Sequence, residues 1–235
     1  MIRAVLLDID DTLLDFDAYV KTSMKDGFER FGLAVYDDSM FGIFKQVNSE
    51  MWKKLERGEI TFEELKRHRW NNVFSALGIS FDGVAFEKYF RDCLFNSAIH
   101  VDGAEETVKY LSSRYRTYVA SNGPYEQQLN RLRVGNLFSY FSGFFISEKI
   151  GAQKPSAEFF DYCMEEINEN ASNQGEAPVT PAEVIMIGDS LSSDMTGAIN
   201  YGMKTCLFDK HGTGKTNGLP IDHIVDKLES IKQLL

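Results

Sequence analysis

Short apolar runs without alternation recur along the chain, at residues 4–7 (Ala-Val-Leu-Leu), 117–120, 143–146, 184–187 and 205–208. Each is closed by polar residues. Such runs predict strands buried on both faces, as in a parallel sheet. Between them lie segments patterned for helix, at 104–113, 125–134, 157–168 and 195–201. Strands alternating with helices predict βαβ units with helices on both sheet faces. The expected fold class is α/β: a doubly wound, Rossmann-like parallel sheet.

Residues 15–97 break that rhythm with four helical patterns in succession and no convincing strand. Phe86, Tyr89, Phe90, Cys93 and Leu94 form a wide apolar stripe at helical spacing, and Phe44, Val47, Met51 and Leu55 form another. Thr61 and Glu64 have capping-box spacing ahead of a helix that carries Leu65, Val73, Phe74 and Leu77. Helices of this length must bury those faces on one another. The chain therefore divides into an α/β core, 1–14 and 98–235, and an inserted helical bundle, 15–97. The polar segment 168–181 reads as a surface connection.

Composition adds exclusions. The 235 residues carry 25 Lys and Arg against 35 Asp and Glu, a formal charge of −10. That balance opposes binding to a nucleic-acid polymer, although a local positive site could still take a small anion. No apolar run approaches the roughly 18 residues of a membrane span, so no membrane partner is expected. Three cysteines, without a CxxC pair, point away from a disulfide framework or zinc site. With no secretory pattern at the start, a reducing, cytoplasmic setting is expected.

The chemistry gathers at strand ends. Asp8-Ile9-Asp10-Asp11-Thr12 follows the first apolar run, Ser121-Asn122-Gly123 the second, and Gly188-Asp189-Ser190 the fourth, with Asp194 beyond it. Lys154-Pro155 precedes the 157–168 helix. In open α/β sheets, ligands bind outside the carboxyl ends of the strands. That edge would gather Asp8, Asp10, Asp189, Asp194, Ser121 and Lys154. Two carboxylates ~4 Å apart repel by about 4 kcal/mol at an effective dielectric of ~20, so several in one cleft require protonation or a cation. An all-oxygen cluster suits Mg²⁺. Such a set is what phosphoryl transfer through an aspartyl-phosphate needs.

These four segments, in this order and spacing, resemble the motifs of the haloacid dehalogenase (HAD) superfamily, and the helical insertion resembles its type-one cap. The resemblance implies that Asp8 is the nucleophile and Asp10 the general acid, then base. It implies that Ser121 and Lys154 hold phosphoryl oxygens, with Asn122 and Gly123 offering backbone donors. Mg²⁺ would be held by Asp8, the Asp10 carbonyl and Asp189. Thr12 and Asp194 would support the site, Asp194 either reaching the metal through water or orienting Lys154. The partner would be a small phosphorylated metabolite; the oligomeric state stays open.

A Mg²⁺-dependent phosphomonoesterase is the first expectation. A phosphomutase uses the same core residues. A haloacid dehalogenase needs neither a metal nor an acid at Asp10, and a silent binding protein would be expected to lose one of these groups. Phe16-Asp17, residues 47–52, Gly58-Glu59-Ile60-Thr61 and Gln127-Gln128 resemble the bacterial pyrimidine 5′-nucleotidase subgroup. The alternative is a phosphatase for small organic acids or sugars, such as phosphoglycolate. Phe16, Asn48 and Trp52 are the candidates for facing the substrate.

Other patterns carry less. Gly212-Thr213-Gly214-Lys215-Thr216 imitates the end of a phosphate-binding P-loop, but Asp209 stands where the first glycine is required, so a loop is expected. Lys66-Arg67-His68-Arg69 reads as a solvated helix face. Trp52 and Trp70 read as packing residues before any base-stacking role, and Cys163 as a buried, inert thiol.

Overall fold

The computed structural model describes residues 1–235. In chain order its elements are β1 (Ala4–Leu7), α1 (Phe16–Arg30), α2 (Asp38–Glu56), α3 (Phe62–Leu77), α4 (Gly83–Phe95), α5 (Ala104–Ser112), β2 (Arg116–Ser121), α6 (Tyr125–Val134), β3 (Gly143–Ile146), α7 (Ser147–Ile150), α8 (Ala157–Asn173), β4 (Val184–Gly188), α9 (Thr196–Tyr201), β5 (Lys204–Phe208) and β6 (His223–Val225). They form two compact units: Met1–Asp15 with Ala98–Leu235, and Phe16–Ser97. No helix is long and apolar enough to cross a membrane.

The first unit is built on a six-stranded parallel sheet of order β3-β2-β1-β4-β5-β6. From β1 the chain winds outward through β2 and β3, then returns to β4 on the other side of β1. The switch point lies between β1 and β4, where Leu7 pairs with Ile187. Alternate residues of each strand serve opposite faces. Val5, Leu7, Val119, Ile185 and Ile187 pack under α5 and the C-terminal segment. Ala4, Leu6, Ala120, Val184 and Met186 pack against α8 and α9. Burial on both faces is why these strands read as unbroken apolar runs.

Three features differ from expectation. Asp15 falls in the first unit and not in the helical one, its N–H donating to the Ile99 carbonyl at 2.8 Å. Helix α8 runs on to Asn173, into the segment read as a connection, because Ile167 and Ala171, four positions apart, both bury against the sheet. The short edge strand β6 was not anticipated; its three residues are half-buried, exposed and buried in turn, so it carries no sustained apolar run.

In the second unit, α1 to α4 bury Val20, Met24, Phe28, Phe44, Trp70, Phe74, Phe86 and Phe90 in one aromatic core. Helix α3 starts as its sequence predicts: Glu64 N donates to Thr61 Oγ1 at 3.2 Å, and Thr61 N donates to Glu64 Oε2 at 2.7 Å. Trp70 is fully buried in that core. The basic run is corrected at one position. Arg69 is not solvated; it is buried and donates to Glu87 through Nε at 3.0 Å and Nη2 at 2.6 Å. The helix turns Arg69 inward with Leu65 and Val73, four residues to either side.

Candidate active site

Asp8 stands one residue beyond β1, and Asp8 N donates to the Ile187 carbonyl of β4 at 3.0 Å, which fixes it at the switch point. Asp189 follows directly on β4. Asp194 sits on a wide π-helical turn, Leu191–Met195, and is completely buried. Turns of this kind re-aim side chains and recur at functional sites. Gly188 lets Asp194 lie across the strand end, since a Cβ there would fall 2.1 Å from Asp194 Oδ2.

Lys154 reaches the same place from the loop before α8. Its ammonium is buried and donates to Asp8 Oδ1 at 2.8 Å, Asp194 Oδ1 at 2.6 Å and the Ala120 carbonyl at 2.7 Å. Three protons meet three acceptors. Burial alone would lower the pKa of this ammonium, but the Asp194 and Asp8 charges outweigh it and hold the pKa above its ordinary value. Asp194 spends its other oxygen on Ser190 N at 3.1 Å. It therefore anchors Lys154 directly.

Asp8, Asp189 and Asp194 can each point one oxygen into a cluster spanning no more than 4.8 Å. One ammonium serves these three carboxylates. The imbalance shows in their acidities. Burial, then the Asp194 charge, pushes the Asp8 carboxyl up to about 7 despite Lys154. Burial and the charges of Asp8 and Asp194 push Asp189 well above the usual carboxylate range. An all-oxygen donor set two charges short of neutrality fits a hard divalent cation.

Asp10 points elsewhere. Arg131 Nη1 donates to its Oδ1 at 2.6 Å, and Gln128 Nε2 donates to its Oδ2 at 2.8 Å. Gln128 and Arg131 are buried side by side on α6, three residues apart. Gln128 Nε2 also donates to Ser121 Oγ at 2.9 Å, and Arg131 Nη1 also donates to Gln128 Oε1 at 2.9 Å. The sequence reading missed Arg131. The available signal was compositional: α6 (YEQQLNRLRV) has too few aliphatic residues to cover an inward face, so polar ones had to go in.

Other expected site residues fall as follows. The Asn122 side chain is wholly engaged with the backbone of Lys154, donating to its carbonyl and accepting from its N–H, both at 2.9 Å. Gly123 N donates to Ser121 Oγ at 3.2 Å, so that expected free donor is turned inward. Thr12 is fully buried, and its Oγ1 has no hydrogen-bond partner. Phe16, Asn48 and Trp52 belong to the helical unit. There Phe16 meets the edge of Phe90, Asn48 Oδ1 accepts from Arg69 Nη1 at 3.1 Å, and Trp52 packs against Phe62. Gly212 to Thr216 form a loop with no helix behind it. Cys163 is buried, and burial pushes its thiol pKa well up.

A doubly wound parallel sheet with a carboxylate cluster and a buried lysine at its switch point defines a class of hydrolases. Residues 2–202 match the family model for haloacid dehalogenase-like hydrolases, and the chain belongs to that family. The pyrimidine 5′-nucleotidase PynA of Streptococcus pneumoniae is 32% identical over 213 residues, 89% of this chain and 84% of PynA. The pyrimidine 5′-nucleotidase YjjG of Escherichia coli is 26% identical over 98% of this chain and 96% of its own length. The HAD-hydrolase YfnB of Bacillus subtilis, solved bound to magnesium, is 29% identical with a TM-score of 0.88, over 100% of this chain and 98% of that one.

Proposed function

We propose that this hydrolase is a Mg²⁺-dependent phosphomonoesterase that works through an aspartyl-phosphate on Asp8, with pyrimidine nucleoside 5′-monophosphates as its preferred substrates. The observation that carries the reading is the buried cluster of Asp8, Asp189 and Asp194 around one lysine, with a second carboxylate, Asp10, held apart from it. A dehalogenase has no use for that second carboxylate. The names of PynA and YjjG support the nucleotide.

In the first half-reaction an Asp8 oxygen attacks phosphorus and the ester P–O bond breaks. The departing oxygen takes a proton from Asp10. In the second half, Asp10 takes a proton from water as the water oxygen bonds to phosphorus. The bond to Asp8 then breaks, releasing inorganic phosphate. The Ser121 hydroxyl would donate to a phosphoryl oxygen, and Lys154, whose three protons are held by Asp8, Asp194 and the Ala120 carbonyl, would contribute its charge. Asp8, Asp189 and the Asp10 carbonyl would hold Mg²⁺, whose charge offsets that of the carboxylates and phosphate. Selection among esters is assigned to the helical unit, with Phe16, Asn48 and Trp52 as the residues to vary.

The test is a panel: dUMP, dTMP, purine nucleotides, phosphoglycolate, a hexose phosphate and a chloroacid, each with Mg²⁺ and with excess chelator. Pyrimidine nucleotides should lead, chelator should stop turnover, and Asp8→Asn should be inactive. Chloroacid turnover in chelator, or an active Asp8→Asn, would overturn the mechanism. A strong lead for phosphoglycolate would overturn the substrate alone.

A further inference from the structure

Arg131 is almost completely buried, a costly place for a guanidinium unless its donors are used. Its Nη1 has two protons, one for Asp10 Oδ1 at 2.6 Å and one for Gln128 Oε1 at 2.9 Å. A guanidinium cannot accept a hydrogen bond, so the carbonyl end of the Gln128 amide must face it. The orientation of the amide is thereby set, and its NH₂ must point the other way. One of those protons goes to Asp10 Oδ2 at 2.8 Å and the other to Ser121 Oγ at 2.9 Å.

The consequence reaches Ser121. Its Oγ accepts from Gln128 Nε2 and from Gly123 N, at 2.9 and 3.2 Å, which occupies both lone pairs. Its own proton is left for a third partner. Gly123 makes the arrangement possible, because a Cβ there would lie 2.5 Å from Gln128 Nε2.

We propose that Arg131 is a positioning residue: directly and together with Gln128 it fixes the carboxylate of Asp10, and through Gln128 it turns the Ser121 hydroxyl proton toward the phosphoryl oxygen. The inference rests on the phosphomonoesterase reading above. Arg131 contacts neither phosphorus nor the ester oxygen in this scheme; it contacts Asp10, the group that would move the proton. It sets the geometry of Asp10 and Ser121 from a helix, α6, that lies outside the four strand-end motifs.

Two esters with different leaving groups test it. dUMP expels an alkoxide that needs a proton, whereas p-nitrophenyl phosphate expels a phenolate that does not. The readout is the ratio of kcat/KM for the two, which reports the step that expels the leaving group and does not depend on the fraction of enzyme folded. Arg131→Met should lower the dUMP value at least about tenfold more than the p-nitrophenyl phosphate value, a part of the ~10²–10⁴-fold that acid–base catalysis supplies. Arg131→Lys should restore part of the ratio. Gln128→Glu, nearly isosteric, should shift the ratio the same way and serves if Arg131→Met does not fold. Equal losses on both esters in Arg131→Met, or an unchanged ratio in Gln128→Glu, would overturn the positioning role. A wild type inactive on both esters would instead overturn the phosphomonoesterase reading.

Discussion

Lys154 and Asp8 stand 146 positions apart in sequence, yet the ammonium of one donates to the carboxylate of the other at 2.8 Å inside the protein. The same ammonium holds Asp194 at 2.6 Å, so a single residue joins the end of β1 to the turn after β4. It is the charge that lets these carboxylates share a buried site.

Removing it should therefore be severe. Lys154→Met leaves Asp8, Asp189 and Asp194 together without a counter-charge. Breaking a buried pair in this way costs about 3–5 kcal/mol. Thermal denaturation in chelator should show a large drop in Tm, and phosphatase turnover should be lost. A variant with wild-type Tm would contradict the role assigned to this ammonium.

The acidities give a pH dependence with a definite sign. The Asp8 carboxyl is raised from its unfolded value to about 7, by burial first and the Asp194 charge next. Between about pH 4 and 7 the folded chain thus binds more protons at this group than the unfolded chain does. Stability from this source is full below the unfolded pKa and is lost as pH rises through the folded one. Asp189, raised for similar reasons, acts in the same direction. In chelator, Tm of the wild type should fall across this window relative to Asp8→Asn, whose amide does not titrate. A parallel pair of profiles would refute it.

Gly123→Ala separates fold from activity. Its new Cβ would fall 2.5 Å from Nε2, 2.7 Å from Cδ and 2.9 Å from Cγ of Gln128, so that side chain must shift to admit it. The loss in Tm should be small, of the order of 1 kcal/mol in stability. Catalysis should suffer more, with kcat/KM on dUMP falling by about tenfold or more as Gln128 releases Asp10 and Ser121. Steady-state kinetics beside a thermal melt checks both parts.

In the helical unit, Glu87→Ala strands the buried Arg69 guanidinium and should cost about 3–5 kcal/mol. Arg69→Met combined with Glu87→Leu removes both charges and should recover most of that loss. Chemical denaturation of the single and double variants measures the coupling.

Much of the architecture was legible because buried parallel strands leave unbroken apolar runs, and β1 to β5 each did so. The carboxylates and Lys154 were legible because they follow those runs directly or stand beside a proline. Arg131 was not: the shortage of aliphatic residues on α6 signals only that some polar side chain turns inward, not which one or what it pairs with. Its partner, Asp10, lies 121 positions away. Arg69 escaped for the same reason, its partner Glu87 lying on the next helix. Pairings that distant are set by the fold, and local patterning carries no trace of them. The edge strand β6 is too short to show a period.

The chain leaves the sheet-bearing unit after Asp15 and re-enters it at Ala98, and the two crossings are neighbours. Leu14 bridges antiparallel to His100, and Asp15 N donates to the Ile99 carbonyl at 2.8 Å. The ends of the insertion are thus already joined by main-chain hydrogen bonds, as at the base of a hairpin. Because closing a longer loop costs only about 0.6 kcal/mol for each doubling of its length, what is threaded between those ends is nearly free to grow, shrink or be exchanged. A short turn in place of the helical unit should leave the sheet and its carboxylate cluster assembled. The reacting groups and the segment assigned to choose the ester can then diverge on separate schedules, which makes the insertion a natural point for grafting.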